Sequence, residues 1–141
     1  MKIVLDTNVL VAGLLSPFGP CGNIVRMASS GELTLCHDAR ILSEYNEVLR
    51  RPKFLLEEDM ISGLLDYIEY RGQTVAASPL AHSLPDPDDE PFLEVARSCG
   101  AEYLVTGNQA QFPAPPCHGV KVVPPAEFLK DYKKRQKKGR T

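Results

Sequence analysis

Met1-Lys2-Ile3-Val4-Leu5-Asp6-Thr7-Asn8 is an apolar run that stops on an acid followed by two small polar residues. Ile3, Val4 and Leu5 do not alternate with polar residues. That pattern suits a strand covered on both faces, as in a parallel sheet with helices on each side. In such open sheets, ligands sit beyond the carboxyl ends of the strands. Asp6 is therefore a candidate site residue before any other part of the chain is considered.

Downstream, Val9 to Leu15 reads as a short buried helix capped by Asn8 or Thr7. The loop Ser16-Pro17-Phe18-Gly19-Pro20-Cys21-Gly22 ends it. A second helix spans Asn23 to Ser30, Gly31 closes it, and Leu33 to Cys36 forms a second strand. Asp38 caps an amphipathic helix that ends before Pro52. At about 100° per residue, Ile41, Leu42, Tyr45, Val48 and Leu49 fill one stripe of it. Glu44 falls at the margin of that stripe and Glu47 on the wet side among Arg40, Ser43, Arg50 and Arg51. A carboxylate at an apolar margin needs a partner or a cation, or else swings out to solvent.

Leu56 to Arg71 forms a further helix with Glu57, Glu58 and Asp59 in its first turn, and Thr74 to Ala76 a short extended segment. After a polar loop from Ser78 to Pro87, Asp86-Pro87-Asp88-Asp89-Glu90-Pro91 leads into the helix Phe92 to Cys99, ended by Gly100. Four acids exceed what helix capping needs. Their mutual repulsion raises their proton affinity unless a cation sits among them. Glu102 to Thr106 is a second all-buried strand, which like the first ends in small polar residues, Thr106-Gly107-Asn108. Val120 to Val123 is the last strand, and Glu127 to Tyr132 begins a terminal helix. Alternating strands and helices imply a single α/β domain with a mainly parallel sheet of about four to five strands.

At 141 residues and 43% hydrophobic content, the chain is the size of one domain with a sizeable core. Its longest apolar run falls far short of the roughly 20 residues a membrane helix needs, so a cytoplasmic protein without membrane association is expected. Cys21, Cys36, Cys99 and Cys117 share no short repeated spacing and read as free thiols. Cys36-His37 and Cys117-His118 lack the spacing common in zinc sites. The net charge of -2 is unevenly spread: residues 130–141 carry seven basic residues and one acid, +6, which leaves -8 on the rest. Lys133, Lys134, Arg135, Lys137 and Lys138 read either as a solvated helix end or as a contact for a polyanion. Residues 133–141 are expected to form a flexible basic tail after a domain of residues 1–132.

Asp6, Glu44 and Asp89, with Asp88 or Asp86 beside it, are thus the carboxylates with a structural claim on one place. An all-oxygen set selects Mg²⁺ or Mn²⁺ over zinc and suits phosphoryl chemistry. Four segments together resemble the PIN-domain ribonucleases, and within them the small prokaryotic toxins of toxin-antitoxin pairs. They are Leu5-Asp6-Thr7-Asn8-Val9-Leu10, Ser43-Glu44-Tyr45, Asp86-Pro87-Asp88-Asp89 through Phe92-Leu93 to Ala96, and Tyr103-Leu104-Val105-Thr106-Gly107-Asn108. The resemblance implies a Rossmann-like parallel sheet and a Mg²⁺- or Mn²⁺-dependent endoribonuclease. RNA would be its substrate, and an antitoxin protein and a second copy its expected partners. It puts the family's acids on Asp6, Glu44 and Asp89, with Asp88 competing for the third role, and orienting polar residues on Asn8 and Thr106. Asn108 departs from the pattern, since many members carry Asp after Thr-Gly.

Two other readings use the same residues. One is a PIN-like module that binds RNA or a partner without cutting. The other is an α/β protein phosphorylated on Asp6, which Asn8 disfavours because such phosphatases place a second Asp there.

Overall fold

The computed structural model describes residues 1–113 and 119–138. Five strands run in the order β3-β2-β1-β4-β5 and every neighbouring pair is parallel. They are β1 (Lys2–Leu5), β2 (Thr34–His37), β3 (Gln73–Thr74), β4 (Tyr103–Val105) and β5 (Lys121–Val123). The helices are α1 (Thr7–Leu15), α2 (Pro20–Ser29), α3 (Ala39–Leu49), α4 (Glu58–Arg71), α5 (Glu90–Cys99) and α6 (Pro125–Lys138). The expected α/β architecture is the one found.

The run that suggested a two-sided sheet is its middle. Ile3, Val4 and Leu5 are wholly buried, as are Leu104 and Val105 beside them on β4. Each such side chain contributes about 1.5–3 kcal/mol through burial. Successive residues of β2 show the two layers directly. Cys36 lies beside Cys99 at the end of α5, while His37 meets the Ile68 carbonyl of α4 at 3.1 Å. Alternate strand residues point to opposite faces, so α5 and α4 cover opposite sides of the sheet. On β4, Tyr103 packs edge-on against Phe128 of α6, with ring centroids 5.1 Å apart.

Chain order reverses at β1. The chain steps outward to β2 and β3 on one side, then returns to place β4 and β5 on the other. The carboxyl ends of β1 and β4 thus flank the crevice where ligands bind in open parallel sheets.

Several boundaries differ from expectation. α1 begins at Thr7 with Asp6 at its N-cap position, so Thr7 and Asn8 lie in the helix instead of capping it. α2 begins at Pro20, which shortens the expected loop. Proline suits a first helical position, where its missing N–H removes no hydrogen bond. The longest difference is at α6, which continues through Lys138 where a flexible tail was expected from residue 133. Lys, Arg and Gln are good helix formers, and cations in the last turn complement the helix dipole. Arg135 also bonds the Glu102 carboxylate, and the Tyr132 hydroxyl donates to Glu32 at 3.2 Å. Residues 139–141 and Cys117-His118 lie outside the described residues. No single helix among those described is long and apolar enough to cross a membrane.

α1 and α2 meet through glycines. A Cβ on Gly22 would stand 2.1 Å from the Pro17 carbonyl oxygen, and one on Gly13 would stand 2.8 Å from that of Cys21. Both obstacles are main-chain atoms, which cannot rotate away. Gly22→Ala is expected to lower unfolding free energy by about 1–3 kcal/mol in urea titrations. A midpoint within error of the parent would show that the α1–α2 turn can yield.

Candidate metal centre

Three elements bring the acids to the β1–β4 crevice. Asp6 follows β1 directly, and its main-chain N–H donates to the Val105 carbonyl at 3.0 Å, which extends the ladder by one residue. Although it stands at the N-cap of α1, its side chain makes no cap bond. Instead the Thr106 hydroxyl donates to Asp6 Oδ2 at 2.7 Å, and the Asn108 amide donates to the Thr106 hydroxyl oxygen at 3.0 Å. Asp6 is only 6% exposed. Burial raises its pKa, against which the Thr106 hydroxyl and the Thr7 amide work.

Glu44 reaches the same place from α3. The Asp38 carboxylate caps that helix by accepting the Ile41 amide at 3.0 Å. Ile41, Tyr45 and Leu49 are buried, Glu44 is half-buried and Glu47 is exposed, as the helical wheel requires. Tyr45 fixes the rotation of α3. Its ring lies 6.3 Å from that of Phe92 on α5, and its hydroxyl donates to the Leu5 carbonyl at 2.5 Å, one residue before Asp6. The Thr7 hydroxyl bonds Glu44 Oε2. Burial raises the Glu44 pKa, and repulsion from Asp6 and Asp88 adds to the rise.

Asp89 arrives at the start of α5 from a 3-10 turn, Pro87–Asp89, that Asp86 caps by accepting the Asp88 amide at 2.9 Å. Asp89 is half-buried and Asp88 exposed. Burial first, then repulsion from Asp6, Asp86, Glu44 and Asp88, lifts Asp89 to about 6. Asp6, Glu44 and Asp89 therefore stand within one another's fields, with Asp88 at the rim.

The remaining candidates divide. Thr106 holds Asp6. Asn108 acts through its main-chain amide while its side chain is exposed, and Asn8 is exposed on α1. Lys133, Lys134, Arg135, Lys137 and Lys138 lie elsewhere. α6 starts where β5 ends and runs back, so that Asp131 reaches Lys121 at 2.8 Å and Arg135 reaches Glu102, both at the amino ends of strands. The basic turns are thus at the sheet edge opposite the acids. Arg135 is further engaged over the Tyr103 ring at 5.4 Å. Thr7 and Tyr45 were absent from the expected site. The hydroxyl next to Asp6 was the available signal for Thr7. Tyr45 read only as core.

Donor chemistry fits a hard divalent cation. All three groups are carboxylates, each with its proton affinity raised, and a cation among them would relieve that. Among the described residues, no three His, Cys, Asp or Glu side chains form a ready-made chelate. Mg²⁺ keeps several waters and uses one or two carboxylates directly, so a loose acidic cluster matches its habit.

The family model described as PIN domain matches residues 2–110, a span that holds all three acids, and the chain belongs to that family. PIN domains are generally nucleases that use divalent metals. Among solved structures, the fold is similar to "Crystal structure of VapBC2 from Rickettsia felis bound to a DNA fragment from their promoter". The TM-score is 0.55 at 16% identity, covering 86% of this chain and 97% of that one. No curated protein matches.

Asp89 titrates higher in the fold than its ordinary 3.8, so its proton favours folding. That contribution is complete below about pH 3.8 and lost as pH rises through about 6. In metal-free buffer Asp89→Asn should therefore melt a few degrees above the parent at neutral pH, about 1 kcal/mol after discounting for partial exposure. The difference should close near pH 4. A melting difference that stays constant with pH would contradict the acid cluster.

Proposed function

We propose that this chain is an endoribonuclease that hydrolyses RNA phosphodiester bonds with Mg²⁺ or Mn²⁺, and the toxin of a toxin-antitoxin pair. The observation that carries the reading is the meeting of Asp6, Glu44 and Asp89 at the reversal point of a PIN fold. Asp6, Glu44 and Asp89 would hold the ion, with Asp88 at the rim. When bound, the ion would supply Lewis acidity at the scissile phosphate and make nearby water more acidic.

The chain's own groups set the stage for that chemistry. The Thr106 hydroxyl donates to Asp6 Oδ2, and the Thr7 hydroxyl does the same for Glu44 Oε2. Neither hydroxyl has a pKa that lets it compete for the proton at neutral pH. Both bonds oppose the rise in proton affinity that burial brings to Asp6 and Glu44, while Asp89, lifted to about 6, is the acid best matched to exchange protons with solvent.

The likeness to the VapBC2 structure supports a partner-regulated role, here with an antitoxin, and we extend the reading to a cytoplasmic homodimer. A second reading, RNA binding without cleavage, draws on Asn108, where the family's further acid is absent. One experiment separates the two. Purified protein and Asp6→Asn are assayed on single-stranded RNA with Mg²⁺ or Mn²⁺. Cleavage is expected only from the parent, with a loss of about two orders of magnitude or more in the variant. Equal rates would sink the site assignment. Metal-insensitive binding without cutting would favour the second reading.

The basic end of α6 enters as a second contact for longer RNA. Because it lies across the sheet from the acids, short oligonucleotides would not reach both. Changing Lys133, Lys134, Lys137 and Lys138 to Gln should weaken binding of long RNA and flatten its dependence on salt, while leaving short substrates unaffected. An unaltered salt slope on long RNA would make these lysines a solvated helix end.

A further inference from the structure

α3 and α5 carry two of the three acids, and one ion pair joins these helices about one turn away from them. Arg40 lies four residues before Glu44 and so on the same face of α3. Glu94 lies five residues after Asp89 on α5. Arg40 Nη1 donates to Glu94 Oε1 at 2.6 Å, while its Nε and Nη2 donate to Asp38 Oδ2 at 2.9 and 2.7 Å. Glu94 is 8% exposed, and its second oxygen accepts the Leu80 amide at 3.1 Å.

Leu80 belongs to the segment that leads into the third acid, and α5 holds this segment at two further points. Ser98 Oγ accepts the Ser78 amide at 3.0 Å and Glu90 Oε2 accepts the Leu84 amide at 3.0 Å. Glu90, Glu94 and Ser98 are spaced by four and form one stripe along the helix. Glu94 is the point where α3, α5 and the approach to Asp89 are tied together.

Burying a carboxylate in an ion pair is a poor source of stability, because desolvation offsets most of the attraction. Its geometric effect is specific here. Asp6, Glu44 and Asp89 repel one another, which pushes α3 from α5, and the Arg40–Glu94 pair opposes that push across the same interface as Tyr45 and Phe92. We propose that Arg40 and Glu94 are positioning residues for the cation site, holding α3 against α5 so that Glu44 and Asp89 stay presented toward Asp6 before metal arrives. The proposal rests on the metal reading given above.

The test is calorimetric titration of the full chain with Mn²⁺, comparing the parent with Arg40→Met, Arg40→Lys and Glu94→Gln. Removing the Arg40 charge would by Coulomb attraction alone tighten cation binding. Positioning predicts the opposite sign: weakening of about tenfold or more in Arg40→Met, the scale for lost outer-shell partners, matched by Glu94→Gln, with Arg40→Lys between. Should Glu94→Gln fail to fold, the Arg40 series decides, since that side chain is half-exposed. A folded Arg40→Met that binds Mn²⁺ as tightly as the parent, or more tightly, overturns the positioning role alone. A parent that binds no Mn²⁺ overturns the metal reading, and this proposal with it.

Discussion

Giving the buried Asp6 carboxyl its hydrogen-bond partners is the constraint on which the structure depends. A carboxylate removed from water without partners takes up a proton, and a protonated Asp6 would hold no cation. The fold answers by ending β1 and β4 side by side, so that the Thr106 hydroxyl falls 2.7 Å from Asp6 Oδ2. That adjacency requires β4 to pair with β1, and thus requires the chain to cross from β3 back over β2 and β1. The sheet order is thus linked to the proton affinity of one side chain through the Thr106 hydrogen bond. Residues without charge complete the arrangement: the Asn108 amide aims the Thr106 hydroxyl, and Tyr45 anchors α3 to the carbonyl just before Asp6.

The features legible in the sequence were those encoded by periodicity or by local composition. Unbroken apolar runs marked β1 and β4 as two-sided strands. The helical wheel separated half-buried Glu44 from exposed Glu47, and the excess of acids at the start of α5 marked Asp89. What escaped notice depends on contacts between distant segments. Tyr45 and Leu5 are 40 residues apart and Arg40 and Glu94 are 54 apart, and neither pair has a pattern that sequence spacing could reveal. Thr7 was legible as a polar residue near a helix start, but capping and bonding Glu44 call for the same residue type, and only the third dimension separates them. The extent of α6 was missed for a different reason. A run of like charges argues for a solvated chain, and the acids that α6 bonds, Glu102 through Arg135 and Glu32 through Tyr132, lie far away in sequence.

The position of α6 also changes the meaning of the charge asymmetry. From sequence, a basic end on an acidic body suggested an arm that brings a polyanion to the acids. The helix instead runs antiparallel to the strands, and its cations are held at the amino edge by Glu102 and by the packing of α6 on α2. Attraction between exposed charges at opposite ends of a domain is largely screened at physiological salt, where the Debye length is about 8 Å. The lysines therefore have little influence on the charge state of the acids, and any polyanion they hold must be long enough to pass round the sheet.

Asn108 lies just beyond β4, two residues after Thr106. Its departure from the family pattern removes a charge from the crevice, where three carboxylates already repel one another. A fourth would increase that repulsion unless a second cation balanced it. The contribution of position 108 to the fold is made by its main-chain amide, which any residue but proline supplies. Asn at this position therefore costs the scaffold nothing. Asp6, the most buried of the three remaining acids, is the fixed point of the cluster.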